Sequence, residues 1–166
     1  MGKTFERWVF WIDQDFSWNS GLPIAEDVAF LDRKGVRRLE LRKGGEIRVL
    51  KGYAWDGCTP KFWLLDLVFG IPNGVVSSST KKPKTYYASL IHDALYQFLS
   101  DGLPLSRGDA DRCFLSLMTE TDFLLRRPYY WAVRLFGEVF RRGMKLKRKT
   151  SGTMIRLEPQ AIEGAE

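Results

Sequence analysis

The hydrophobic pattern of this chain changes its period part-way along, and this change limits the folds that the chain can adopt. Over about residues 5–55, aromatic and β-branched runs alternate with turn signals, which is typical of antiparallel strands. The segment "RRLELRKGGEIRVLKG" pivots on Gly44 and Gly45 and predicts a β-hairpin. From Thr85 to about Ser100, apolar residues recur at helical spacing.

Two more helices are predicted in the second half of the chain. Ser106 suits an N-cap position, and Asp109 three residues later completes a capping box. The segment "YYWAVRLFGEVFRRG" then places its apolar side chains on one face of a third helix. We therefore predict an α+β fold in which an N-terminal antiparallel sheet packs on a C-terminal three-helix part.

Length and composition limit the domain organisation. A chain of 166 residues with 45% hydrophobic residues predicts one folded domain, here residues 1–149, and the polar residues 150–166 predict a loose tail.

No apolar run reaches the roughly 18–20 residues that span a bilayer. The charged start "MGKTFERW" is unlike a secretory signal peptide. We expect synthesis in a cytoplasm.

The two cysteines, Cys58 and Cys113, do not form the framework of a disulfide-rich protein. They are either free thiols or a single pair, and the sequence leaves both alternatives open. With one histidine in the chain, a zinc site would need mixed ligands, which disfavours zinc.

The only histidine lies in the helical segment "YYASLIHDALYQF" and is followed by a carboxylate. His92 and Tyr96 are four residues apart and share a helix face, whereas Asp93 points away from them. Asp111 lies at the edge of the apolar face of the next helix. If the two helices pack antiparallel, Asp111 can reach both His92 and Tyr96.

This arrangement predicts a catalytic group of His92, Asp111 and Tyr96. A neutral imidazole takes a proton from water when a carboxylate holds its other nitrogen and stabilises the imidazolium that forms. The oxyanion that follows needs a positive charge, and Asp93 is available to hold a metal ion for that purpose.

The loop "WDGCTP" offers further oxygen ligands for such an ion. Ca²⁺ takes 6–8 oxygens, some of them backbone carbonyls. Asp56 supplies a carboxylate, Gly57 permits a tight backbone and Thr59 supplies a hydroxyl. The predicted metal ligands are therefore Asp93, Asp56, Gly57 and Thr59, with Ca²⁺ as the cofactor.

The motif "HDALY", followed by "ADRCF", resembles the helix pair of phospholipase A2. The resemblance runs from Asp56 to Phe114. It implies that His92 is the catalytic base, that Asp93 binds calcium and that "DGCT" is the calcium loop. It also implies that Tyr96 and Asp111 orient the histidine.

The order of "DGCTP", "ASLIHDALY", "SRGDADRCF" and "AVRLFG" after a β-rich start is similar to an uncharacterised family of small proteins of tailed phages and prophages. This second resemblance runs from about Gly52 to Gly137. It implies a phage origin, with synthesis in the cytoplasm of a bacterial host, and supplies no established function.

The net charge of +6 is concentrated in one segment near the C-terminus. Its basic residues are Arg141, Arg142, Lys145, Lys147, Arg148 and Lys149. Such a segment attracts phosphate, which makes an anionic lipid surface a candidate partner. A solvated helix end is the simpler explanation, and nucleic acid is a weaker alternative because no recognition motif is present.

Two functions of different classes follow from these features. The first is a phage-encoded hydrolase that acts on an ester or a lipid at a membrane surface. The second is a non-enzymatic virion or tail-associated protein, or a protein that binds a host factor. In the second function the histidine, tyrosine and aspartate form a buried hydrogen-bond network that only clamps two helices.

Overall fold

The computed structural model describes residues 10–55, 76–78, 80–134 and 152–158. The strands are β1 (Phe10–Trp11), β2 (Phe16–Asn19), β3 (Val28–Asp32), β4 (Arg37–Leu41), β5 (Glu46–Val49), β6 (Ala54–Trp55) and β7 (Gly152–Arg156). The helices are α1 (Tyr86–Phe98), α2 (Arg107–Glu120) and α3, which covers 126–134 of the described residues. The predicted α+β class is confirmed.

Five strands form one antiparallel sheet in the order β2-β5-β4-β3-β7, and β1 pairs with β6 in a separate two-stranded sheet. The predicted β4–β5 hairpin is confirmed, with Leu41 opposite Ile47. Gly44 and Gly45 adopt φ values of +89° and +104° in the turn. This left-handed region favours glycine, which is why the turn forms at this pair.

Residues 150–166 were predicted to form a loose tail, and this prediction is wrong for part of the segment. Gly152–Arg156 forms β7, which pairs antiparallel with β3 along its whole length. The backbone of β3 thus has hydrogen-bonded neighbours on both sides, because β4 lies along its other edge. The pairing joins parts of the chain that are distant in sequence.

One buried cluster joins the sheet to the helices. Its largest fully buried members include Phe30, Leu39, Leu41 and Ile47 from the strands and Ile91, Leu95, Phe98, Phe114 and Met118 from the helices. The rings of Phe30 and Phe98 lie 5.3 Å apart. The indole N–H of Trp55 also donates to the Ser89 hydroxyl at 3.0 Å, which ties β6 to α1.

The two central helices begin where the sequence predicted. The Ser106 hydroxyl accepts the N–H of Asp109, and the Asp109 carboxylate accepts the N–H of Ser106 at 2.8 Å, so the capping box is confirmed. His92 lies next to Phe114 and Tyr96 lies next to Arg107. Since later residues of α1 meet earlier residues of α2, the two helices are antiparallel.

Candidate functional site

The antiparallel helix pair brings together the three side chains that the sequence predicted as a catalytic group. The Nε2 atom of His92 lies 3.2 Å from Oδ1 of Asp111. The Tyr96 hydroxyl donates to the same oxygen at 2.7 Å. The conditional prediction that Asp111 reaches both residues of α1 is therefore confirmed by these contacts.

The group is largely buried. Asp111 is 2% exposed and His92 is 9% exposed, and both belong to the polar residues inside the fold. The His92 ring lies 4.2 Å from the Tyr96 ring and 5.0 Å from the Phe114 ring, measured between centroids. Buried polar groups of this kind need partners, and here each side chain supplies one for another.

The charges within the group favour an imidazolium beside a carboxylate. Burial acts to lower the pKa of His92, but the hydrogen bonds and charges of Asp111 and Asp93 outweigh it and raise the pKa. Burial acts to raise the pKa of Asp111, but the hydrogen bonds from His92 and Tyr96 outweigh it and lower the pKa. Burial and the Asp111 carboxylate raise the pKa of Tyr96, which keeps the phenol protonated as a donor.

Asp93 lies closer to the histidine than the helical geometry suggested. The sequence predicted that Asp93 points away from His92, yet its Oδ1 atom lies 3.6 Å from His92 Nδ1. The Asp93 side chain is 36% exposed, whereas that of Asp111 is 3% exposed. The imidazole thus has a carboxylate beside each nitrogen, one buried and one in contact with solvent.

Arg107 completes the group, although it is not among the residues predicted for the site. Its Nε atom donates to the Tyr96 hydroxyl at 2.8 Å, and Nη2 donates to the backbone carbonyls of Val133 and Arg134 at 3.1 and 2.6 Å. The network therefore connects α1, α2 and α3. A signal was present, because Arg107 and Asp111 are four residues apart on one helix, the spacing of an ion pair.

The predicted calcium site is described only in part. Asp93 is described, whereas Asp56, Gly57 and Thr59 lie outside the described residues. Within the described ranges, no group of three or more His, Cys, Asp or Glu side chains is arranged to hold a metal ion. One half-exposed carboxylate does not make a calcium site, which takes 6–8 oxygens, so the calcium set stays a prediction.

The basic segment from Arg141 to Lys149 and the cysteine Cys58 also lie outside the described residues. Cys113 is a buried free thiol on α2, and burial raises its pKa to about 12. Among the helices that the structure describes, none is long and apolar enough to cross a bilayer.

Comparisons with protein-family models, with curated proteins and with solved structures found no match to this chain.

Proposed function

We propose that the chain is a phage-encoded hydrolase that acts on an ester or a lipid at a membrane surface, with His92 as the general base. The observation that carries this proposal is the pairing of His92 Nε2 with a buried carboxylate at 3.2 Å. Because a carboxylate only accepts, Nε2 carries the proton, and above the raised pKa of His92 the neutral ring has Nδ1 as its basic nitrogen.

The proposed reaction uses Nδ1, the nitrogen on the side of the half-exposed Asp93. A water molecule gives one proton to Nδ1 of His92 as its oxygen attacks the carbonyl carbon of the ester. Asp111 stabilises the imidazolium, and Tyr96 and Arg107 hold Asp111 in place. The tetrahedral intermediate then collapses, the bond to the leaving oxygen breaks, and the imidazolium returns the proton to the leaving alkoxide. General base catalysis of this kind contributes about 10²–10⁴-fold to a rate.

A calcium ion, if bound, would be held by Asp93 together with Asp56, Gly57 and Thr59. It would act as a Lewis acid that stabilises the oxyanion. The contribution of Asp93 itself does not depend on the ion, because its carboxylate lies 3.6 Å from Nδ1 and is half exposed. It can therefore accept a hydrogen bond from the second O–H of a water molecule at that nitrogen.

The hydrolase is tested by acid release from phosphatidylglycerol vesicles and from a short-chain ester in solution. Wild type should release acid faster than buffer, and His92→Asn should lose about 10²–10⁴-fold. The matched control is Asp122→Asn, since the Asp122 side chain is 86% exposed and should not affect the rate. Equal rates for wild type and His92→Asn would remove His92 from the mechanism.

Calcium binding is tested separately by thermal melting with added CaCl₂. A ligand that binds only the folded state raises the melting temperature. Wild type and Asp122→Asn should show the increase, and Asp93→Asn should not. An equal increase in all three proteins would show that Asp93 is not a ligand.

A second candidate function has its own support. Arg107 links α1, α2 and α3 through the same network that holds His92, and His92 is only 9% exposed. These contacts favour a clamp in a non-enzymatic virion or tail-associated protein, or in a protein that binds a host factor. Under this alternative wild type releases no acid, and His92→Asn lowers only the stability of the fold.

A further inference from the structure

One face of α3 is exposed and carries both apolar and basic side chains. Arg127, Trp131 and Arg134 follow one another at spacings of four and three residues, so they share a helix face. Trp131 is 57% exposed, and Leu124, in the turn before the helix, is 85% exposed. We call these four residues, Leu124, Arg127, Trp131 and Arg134, the outer face of α3.

The opposite face of α3 already has its packing partners. Tyr129 and Ala132 are 9% and 8% exposed, and the Tyr129 ring packs edge-on against Phe123 at 5.2 Å. The helix α3 is therefore packed against the core through one face, and Trp131 is exposed because it lies on the other face. Trp131 and Leu124 share the outer face with arginines, and tryptophan is enriched where one end of the ring is in an apolar environment and the other in water, as at a membrane interface.

The outer face carries positive charge. Arg127 and Arg134 lie on it, whereas Asp122, the acidic residue that precedes it, lies 3.9 Å from Arg126. Arginine forms bidentate hydrogen bonds with phosphate, while tryptophan and leucine enter the boundary between headgroups and acyl chains. An anionic phospholipid surface offers both of these environments in one plane.

The outer face ends next to the candidate site. Arg107 donates to the backbone carbonyl of Arg134 at 2.6 Å and to the hydroxyl of Tyr96 at 2.8 Å. The Arg134 guanidinium donates to the Tyr130 hydroxyl at 2.9 Å, and this hydrogen bond raises the pKa of Arg134. Arg107 therefore connects the backbone at the end of this face to the network that holds His92.

We propose that the outer face of α3 docks the protein on an anionic phospholipid bilayer. The inference deepens the proposed function and rests on it for the identity of the substrate as a lipid. It assigns the membrane contact to Leu124, Arg127, Trp131 and Arg134, in addition to the basic segment predicted from sequence. The bilayer contact itself can be measured without any hydrolysis.

The test is flotation of the full chain with vesicles of phosphatidylglycerol and phosphatidylcholine in equal parts. Wild type should float with these vesicles and not with pure phosphatidylcholine. Trp131→Ser should reduce vesicle partitioning by about tenfold or more, because a large apolar side chain no longer enters the interface. Arg127→Gln should reduce it by about fivefold and weaken its dependence on salt.

The matched control is Trp11→Ser, which removes an indole that is 69% exposed on β1. It should float as wild type does. Thermal melting of Trp131→Ser should match wild type, since the side chain is exposed, and a match excludes unfolding as the cause of lost binding.

Several results would overturn the docking surface. Wild type could fail to float with the anionic vesicles, or it could float equally well with neutral vesicles. Trp131→Ser and Trp11→Ser could also reduce flotation by the same amount. A dimer that becomes a monomer in Trp131→Ser, with no flotation, would instead assign the face to self-association. Hydrolysis of the short-chain ester in solution tests the proposed function apart from docking, so the two failures are distinguishable.

Discussion

Replacing Asp111 with asparagine tests the buried network most sharply. The substitution keeps the size of the side chain and removes its charge, at a position that is 2% exposed. Asparagine keeps a carbonyl oxygen that can still accept the Tyr96 hydroxyl, which lies 2.7 Å from the carboxylate in wild type. The main loss is therefore the charge that is paired with His92.

The size of the effect follows from this loss. Removal of one partner from a buried ion pair costs about 3–5 kcal/mol, and the retained acceptor reduces the expected cost to about 2–3 kcal/mol. For a chain of this length the melting temperature should fall by about 4–12 °C. Asp122→Asn is the control, and it should lie within about 0.5 kcal/mol of wild type because its side chain is exposed.

The dependence on pH follows from the two pKa shifts. The pKa of His92 is raised, so its contribution is complete below its ordinary value of 6.5 and is lost as the pH rises through the raised value. The pKa of Asp111 is lowered, so its contribution is complete above its ordinary value of 3.8 and is lost as the pH falls through the lowered value. The difference between wild type and Asp111→Asn should therefore be largest between pH 3.8 and 6.5.

Urea denaturation of both proteins across this pH range measures the difference in the free energy of unfolding. Two results would show that the charge pair of His92 and Asp111 does not stabilise the fold. One is a difference below about 0.5 kcal/mol at pH 5, where both charges are present. The other is a difference that stays constant when the pH is raised well above the range.

Three further substitutions test the structure around the site. Ser106→Ala removes the acceptor for the N–H of Asp109, so urea denaturation should show a loss of about 1 kcal/mol, and no loss would contradict the capping box. Gly152→Ala places a Cβ atom in overlap with the carbonyl oxygen of Leu31, so thermal melting should show a loss of about 1–3 kcal/mol, and no loss would contradict the pairing of β7 with β3. Arg107→Gln removes charge-assisted hydrogen bonds and should cost about 1.5–3 kcal/mol in urea, whereas a stability equal to wild type would show that Arg107 links no helices.

The helix pair and its contact were predictable because local rules decide them. The spacing of His92 and Tyr96 fixes which side chains share a face of α1, and the capping box fixes where α2 begins. When the two helices are antiparallel, Asp111 lies opposite His92 and Tyr96. The β4–β5 hairpin was predictable for the same reason, since two glycines define the turn.

The features that were not predicted from the sequence depend on contacts between distant parts of the chain or on side-chain rotamers. β7 has five residues, no turn that joins it to β3 and no strong alternation, so its pairing depends on the completed sheet. The contacts of Arg107 with the carbonyls of α3 depend on how the third helix lies against the first two. The position of Asp93 near His92 Nδ1 depends on a side-chain rotamer that helical spacing does not fix.

The central claim is that the paired imidazole acts on water, and the rate of ester hydrolysis by folded Asp111→Asn tests it most directly. The measurement is made on a short-chain ester, at a temperature where melting shows that the variant is folded. Wild type is expected to hydrolyse the ester, and Asp111→Asn is expected to be about 10²–10⁴-fold slower. A folded Asp111→Asn that keeps the wild-type rate, or a wild type no faster than buffer, would contradict it.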